Sequence, residues 1–311
     1  MTNHPALRRT RSAGDIGRDI DKDHIMRIIQ ISDTHISQLG GTTNENAEKA
    51  IELVSELEPD LVVHTGDVTI LDPDEDDDRV AAKAILSRIE APLRVLPGNH
   101  DIGEPGADPF GGKSVTSERV AAFRAHFGED RFVDEVGEWT VVGFNSELFG
   151  SGLPEEEDQW AWLESLPERL GGRPTLIFSH KPVWAHAPEY QTPKVSLDAA
   201  VLPRLEAILS RIDARGFGSG HLHHYALTAA PSRPSAVAVS APPTAFVHRS
   251  AEMARVTGPG MNQLGVVSYE IEGDRVLPFF RSRIDFEEKE FGEVDSAMRA
   301  LGAMGIELPA G

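Results

Sequence analysis

Short apolar runs alternate with amphipathic segments along the first two thirds of the chain. Each run has four to six residues and ends at polar or turn-forming residues, which is typical of strands buried in a parallel sheet. The runs that predict strands are 26–31, 61–64, 93–96, 139–144 and 175–178. Between them apolar residues recur every three or four positions, which predicts helices at about 44–56, 79–90 and 117–127, from Pro154 onward, and at 202–212. This alternation predicts an α/β fold.

The last third of the chain follows a different pattern. Segments 236–240, 264–271 and 276–281 alternate or run apolar with no helical period between them. We interpret them as antiparallel strands that extend the sheet.

The two ends of the chain differ from the part between them. Residues 1–24 have no periodic apolar pattern and are predicted to form a flexible arm. Residues 286–311 are predicted to be a charged C-terminal extension with one short helix at about 294–301. Nothing in the composition divides residues 25–285, so we expect a single domain there.

Side chains that bind metal ions or move protons follow directly after the predicted strands. In the segment 93–101, Pro97-Gly98 stops an apolar run, and an amide, an imidazole and a carboxylate come next. The carboxyl ends of parallel strands meet at one edge of a sheet, so such residues can share a pocket although they are distant in sequence. The candidates at these positions are Asp33, His35, Asp67, Asn99, His100, His180, His221 and His223.

With His100 reserved for chemistry, the candidates comprise two aspartates, one asparagine and four histidines, which is about the ligand supply that two metal ions need. Mixed nitrogen and oxygen ligands suit Mn, Fe or Zn. Two ions in one site also require a shared ligand, and a carboxylate with two oxygens is the natural choice. The sequence therefore predicts a dinuclear centre.

Composition narrows the classes of function. The 311 residues include no cysteine, which leaves no thiolate ligand or disulfide and favours a cytoplasmic protein. The net charge of -20 argues against binding to nucleic acid polymers. No apolar run approaches the roughly 20 residues of a transmembrane helix, and we expect neither a membrane span nor a secretory signal.

The motifs, in this order, resemble those of the calcineurin-like metallophosphoesterase superfamily. The similarity extends from about Arg27 to His223. It is carried by Asp33-x-His35, Gly66-Asp67, Gly98-Asn99-His100-Asp101, His180 and Gly220-His221-Leu222-His223. The resemblance implies a four-layer αββα sandwich, with two mixed β-sheets flanked by helices and a dinuclear metal centre at one edge.

Residue roles also follow from the resemblance. It implies that Asp33, His35 and His223 bind one ion, that Asn99, His180 and His221 bind the other, and that Asp67 bridges them. His100 would lie near the substrate phosphate, where it would stabilise charge and assist the leaving oxygen. A hydroxide bridging the metals would attack phosphorus.

Two positions depart from the pattern of the superfamily. Many relatives have an acidic residue, which orients the catalytic histidine, at the position of Ile70. Asp72, Asp101 or a backbone carbonyl could take that part here. The block Ser179-His180-Lys181-Pro182 replaces the common His-His-Pro-Pro, which keeps the ligand and changes its neighbours.

The chain length and the C-terminal strands are most similar to those of class III cyclic-nucleotide phosphodiesterases. The resemblance thus implies hydrolysis of a small phosphodiester such as the 3',5'-cyclic nucleotide cAMP, and by analogy a homodimer. A phosphodiesterase or phosphomonoesterase of broad specificity is the first alternative, and a non-catalytic metal-binding module is the second. The module would be expected to lose His100 before the metal ligands, yet His100 is present.

Overall fold

The computed structural model describes residues 25–106 and 113–303. Its strands are β1 (Met26–Ile31), β2 (Leu61–His64), β3 (Leu93–Val95), β4 (Phe132–Val136), β5 (Trp139–Gly143), β6 (Thr175–Phe178), β7 (Ala214–Ser219), β8 (Ala226–Ala230), β9 (Arg233–Ser240), β10 (Val266–Glu272) and β11 (Arg275–Arg281). Its α-helices are α1 (Thr42–Glu56), α2 (Asp76–Leu86), α3 (Asn99–Ile102), α4 (Ser117–Phe127), α5 (Pro154–Leu170), α6 (Leu202–Leu209), α7 (Ala251–Thr257) and α8 (Asp295–Ala303).

The strands form two mixed sheets. The first has the order β11-β10-β1-β2-β3, with parallel pairing from β1 to β3 and antiparallel pairing at β10 and β11. The second has the order β4-β5-β6-β7-β9-β8, in which only the two outermost pairs are antiparallel. In both sheets the central parallel strands therefore end at the same edge.

Three apolar layers hold the sheets and helices together. Between the sheets, Ile28 and Val63 pack with Phe178 of the second sheet. The opposite face of the first sheet packs against α1, α2 and α4, and that of the second packs against α5 and α6. The result is the four-layer αββα sandwich that the family resemblance implies. No helix in the described part of the chain is both long and apolar enough to cross a bilayer.

A buried polar network joins the two sheets below their shared edge. Gln30 Nε2 donates to Thr65 Oγ1 at 2.9 Å and to the carbonyl of Ser219 at 3.1 Å, so it links β1 to β7. The hydroxyl of Tyr269 donates to Gln30 Oε1 at 2.7 Å. Because every group in this network is buried, each bond is expected to hold its strand in place more firmly than an exposed one would.

Some sequence expectations need correction. Segment 236–240 was expected to pair only antiparallel, but β9 is parallel to β7 and antiparallel to β8. The cause is the β8–β9 hairpin: β8 forms the edge of the sheet, and β9 returns beside β7. Helix α2 begins at Asp76 instead of at 79, because acidic side chains stabilise the first turn and Glu75 accepts a hydrogen bond from the amide of Asp77.

The predictions for the two ends of the chain have different outcomes. Helix α8 lies where a short helix was expected, two residues longer at its C-terminal end and one shorter at its start. The predicted flexible arm, residues 1–24, lies outside the described residues. The division into arm, domain and extension stays a prediction.

Candidate metal centre

The loops that follow β1, β2, β3, β6 and β7 bring all seven candidate ligands together. Asp67 is central: its Oδ2 lies 3.4 Å from His180 Nε2 and 3.8 Å from His35 Nε2. His223 Nε2 lies 3.0 Å from His35 Nε2 and 3.5 Å from Asp33 Oδ1. These contacts join residues nearly 190 positions apart in the sequence.

The ligand atoms fall into two groups that share Asp67. The first group is Asp33, His35, Asp67 and His223, and the second is Asp67, His180 and His221. Within each group the ligand atoms lie within 4.8 Å of one another. Asn99 joins the second group, because its Oδ1 is 3.1 Å from His180 Nε2.

The backbone at these positions is unusual. Six non-glycine residues in the described ranges have a positive φ, and all but Glu58 are candidate ligands: Asp33, His35, Asp67, His221 and His223, with φ between 43° and 70°. Such a conformation costs about 1 kcal/mol or more per residue. Its concentration here points to a functional constraint on where these side chains point.

Two glycines allow the loops to pack closely. A Cβ at Gly66 would lie 2.6 Å from the amide nitrogen of Gly98, and its φ of 95° disfavours any other residue. A Cβ at Gly98 would lie 2.2 Å from Asp67 Oδ1. The glycines that precede Asp67 and Asn99 therefore give the neighbouring loop the room it needs.

Backbone carbonyls fix the proton positions of the first histidine pair. Nδ1 of His223 lies 2.8 Å from the carbonyl of Phe246, and Nδ1 of His35 lies 3.3 Å from that of Ile70. A carbonyl only accepts, so each Nδ1 carries the proton. Burial lowers the pKa of His223 to about 4 and that of His35 well below its usual range, so both rings stay neutral.

The two Nε2 lone pairs of this pair therefore face each other at 3.0 Å. With no proton available between them, only a cation would turn their repulsion into attraction. In the second pair, His180 Nδ1 donates to Thr65 O at 2.8 Å and His221 Nε2 donates to Lys194 O at 2.8 Å, which directs His180 Nε2 and His221 Nδ1 toward each other at 3.2 Å. This donor set fits two divalent metal ions.

The charges in the pocket are strongly coupled. Burial alone would lower the pKa of His180, but the Asp67 carboxylate outweighs it and raises the pKa to about 10. Burial alone would likewise raise the pKa of Asp67, but the His180 and His100 rings hold it well below its usual range. Burial raises the pKa of Asp33 to about 7. A metal ion bound here would release a proton from His180.

His100 lies at the open side of the cluster. Its Nε2 is 3.9 Å from Asp67 Oδ2, its ring stands edge-on to His35 at 4.9 Å, and its side chain is 26% exposed. Its Nδ1 is buried and has no hydrogen-bond partner among the described residues. His100 is therefore close to the ligands without belonging to either group.

Neither carboxylate considered for orienting His100 does so. Asp101 accepts hydrogen bonds from the amides of Val68, Thr69 and Gly98, and so fixes two loops of the site. Asp72 forms an ion pair with Lys113 at 2.5 Å.

Four backbone carbonyls that face the histidines could not be predicted, because every residue has a carbonyl and its position does not depend on residue type. They belong to Thr65, Ile70, Lys194 and Phe246.

A buried ion pair supports the second group. Lys181 Nζ lies 2.8 Å from Glu147 Oε2, and both side chains are at most 1% exposed. The same Nζ donates to Pro193 O at 2.6 Å, next to Lys194, whose carbonyl faces His221. The lysine that replaces the usual proline of the motif therefore holds the loop that orients a candidate ligand.

Replacing Lys181 is expected to destabilise the protein strongly. Lys181→Met leaves the Glu147 charge buried without a partner, which should lower the free energy of unfolding by about 3 kcal/mol or more. The double variant with Glu147→Leu should recover much of that loss. Arg204→Met, which breaks an exposed pair with Glu164, is the control and should cost less than about 1 kcal/mol. Denaturant unfolding measures all three, and equal losses for the two single variants would contradict the prediction.

Comparison with known proteins agrees with the fold and with the class of enzyme. Residues 26–225 match the family model described as calcineurin-like phosphoesterase. Over 218 residues the chain is 28% identical to the 3',5'-cyclic adenosine monophosphate phosphodiesterase CpdA of Pseudomonas aeruginosa, covering 65% of this chain and 71% of that protein. It is 27% identical over 168 residues to the probable glycerophosphodiester phosphodiesterase GpdQ of Arcobacter nitrofigilis, covering 50% and 57%.

Among solved structures, a dimetal phosphatase from Danio rerio superimposes with a TM-score of 0.57 and 14% identity, covering 84% of this chain and 98% of that one. At that identity the likeness concerns the fold alone. The family match extends over well more than half of the chain and includes every candidate ligand. The chain belongs to the calcineurin-like phosphoesterase family and is a metal-dependent phosphoester hydrolase.

Proposed function

We propose that this protein hydrolyses a small phosphodiester, with a 3',5'-cyclic nucleotide such as cAMP as the foremost candidate. The observation that carries the proposal is the pair of ligand groups sharing Asp67, with the partly exposed His100 beside them. Two ions bound there would clamp a phosphoryl group and supply an activated water. Mn, Fe and Zn are the candidates for this mixed donor set.

Each residue has a distinct part in the proposal. Asp33, His35 and His223 would hold the first ion, and Asn99, His180 and His221 would hold the second. Asp67 belongs to both groups and would serve both ions. His100 contacts the phosphoryl oxygens and stabilises the charge that develops as the leaving oxygen departs.

The charge of the chain bears on the substrate. A net charge of -20 repels polyanions, so a small substrate held mainly by its phosphate fits better than a nucleic acid. The similarity to CpdA favours a cyclic nucleotide. The similarity to GpdQ supports a second candidate, a glycerophosphodiester. The lack of cysteine is consistent with a cytoplasmic enzyme.

A substrate panel tests the proposal. Protein freed of metal by a chelator and reloaded with Mn²⁺ is assayed with bis(p-nitrophenyl) phosphate, cAMP, cGMP, nucleotide monoesters and glycerophosphodiesters. We expect metal-dependent hydrolysis and a kcat/KM for a cyclic nucleotide at least about tenfold above the others, which is about 1.4 kcal/mol of transition-state binding. A preference for glycerophosphodiesters would favour the second candidate. Equal hydrolysis of all esters would indicate broad specificity. Absence of hydrolysis of every ester would contradict the proposal.

A further inference from the structure

The C-terminal extension begins well after the residues that match the family, yet it packs against the loops of the first ligand group. Residues 286–303 include α8 and the short turn before it. Val294 and Ala297 are fully buried in one apolar cluster with Ile70, Ala245 and Phe246, and Phe291 packs against that cluster. We call these six residues the C-terminal cluster.

Two members of the C-terminal cluster contact candidate ligands directly. The ring of Phe246 lies 4.8 Å from that of His35 and 4.4 Å from that of His223. Its carbonyl accepts from His223 Nδ1, while the carbonyl of Ile70 faces His35 Nδ1. The cluster therefore includes both residues whose carbonyls set the tautomers of the first histidine pair.

The extension contacts Phe246 and the residues on either side of it. The ring of Phe291 lies 5.1 Å from that of Phe246. The amide of Val247 donates to Lys289 O at 2.9 Å, which fixes the backbone next to Phe246. Asn46 Nδ2 donates to both Ala245 O and Glu287 O, so it joins the two segments again.

We propose that the part of the extension after Phe286, residues 287–303, positions the first metal site, with Phe291 and Val294 holding the carbonyls of Phe246 and Ile70 against His223 and His35. Groups that orient metal-bound histidines set both the tautomer and the direction of the lone pair, and disturbing them typically lowers metal affinity by about 10–100-fold. The side chain of Ile70 is fully buried in this cluster, beside Val294 and Phe246. The inference rests on the ligand assignment proposed above.

The extension itself offers a matched pair of variants. Phe291→Ala removes a ring from the C-terminal cluster. Phe286→Ala removes the same ring five residues earlier, where Phe286 packs in the separate cluster between the first sheet and its helices. Phe291→Leu restores apolar volume, and Val294→Ala is a milder truncation of a fully buried residue.

The measurement is calorimetric titration of the metal-free proteins with Mn²⁺, alongside denaturant unfolding. The titration is repeated in an Asn99→Ala background, which weakens the second group and isolates the first. We expect Phe291→Ala to weaken binding at the first site by about tenfold and Phe291→Leu to restore most of it. Val294→Ala should weaken it less than Phe291→Ala. Phe286→Ala should lower stability and leave the affinity within about twofold of wild type.

The outcomes separate this inference from the proposed function. If wild-type protein binds two Mn²⁺ and the Phe291 and Phe286 variants have equal affinities, the positioning role is overturned and the ligand assignment stands. If wild-type protein does not bind two ions, the assignment fails and the inference fails with it. A weakened second site with an intact first site would also overturn the inference.

Discussion

Asp67→Ala is expected to abolish binding of both metal ions at once. Asp67 is the one residue common to the two ligand groups, and its Oδ2 lies within 3.9 Å of His35, His100 and His180. Its removal takes away the carboxylate that offsets two cations and leaves neutral histidines with opposed lone pairs. Elemental analysis after dialysis should find metal falling from two ions per chain toward none, and activity should fall with it.

The control for Asp67→Ala is a buried aspartate outside the site. Asp134 on β4 pairs with Arg94 at 2.6 Å, so Asp134→Ala also removes a buried carboxylate from its ion pair. We expect that variant to lose stability and keep both ions. A folded Asp67→Ala protein that still binds two ions would refute the bridging role. One that loses only one ion would assign Asp67 to a single site.

The positions of the candidate ligands were predictable because strong local signals mark them. The apolar runs of β1, β2 and β6 end at polar residues, and parallel strands in one sheet end at one edge. The glycines before Asp67, Asn99 and His221 add a second signal, because a close loop approach needs them. The α/β class follows from the same alternation of strand and helix, whereas the four αββα layers were expected only from the resemblance to the family.

Other features could not be predicted from the sequence, because they depend on contacts between distant segments. The Lys181–Glu147 pair joins two loops of the second sheet, and nothing in either local pattern marks it. The pairing of β9 depends on the preceding hairpin, which the apolar pattern did not reveal. The packing of Phe291 against Phe246 could not be predicted, because the local pattern around residues 294–301 indicates only a short helix and no partner for it.

His100→Ala is expected to lower kcat by about 10² or more while leaving the metal content near two ions per chain. His100 belongs to neither ligand group, so its loss removes no ligand atom. Its side chain is 26% exposed at the edge of the cluster, and its Nε2 lies there 3.9 Å from Asp67 Oδ2. The ring can therefore contact a substrate phosphate and stabilise its developing charge. Steady-state kinetics with elemental analysis measures both quantities.

Two comparisons separate a catalytic role of His100 from a structural one. Adding imidazole should partly restore kcat in His100→Ala, because the small ring can enter the space left by the side chain, whereas a distorted site would not respond. His248→Ala is the control, because that ring lies 5.0 Å from His223 and outside both ligand groups. It should change kcat only a few-fold. If His100→Ala lost its metal ions, its loss of activity would show a structural role of the ring in the site. If it kept both ions and wild-type kcat, the charge that develops on the leaving oxygen would have to be offset by the cations alone.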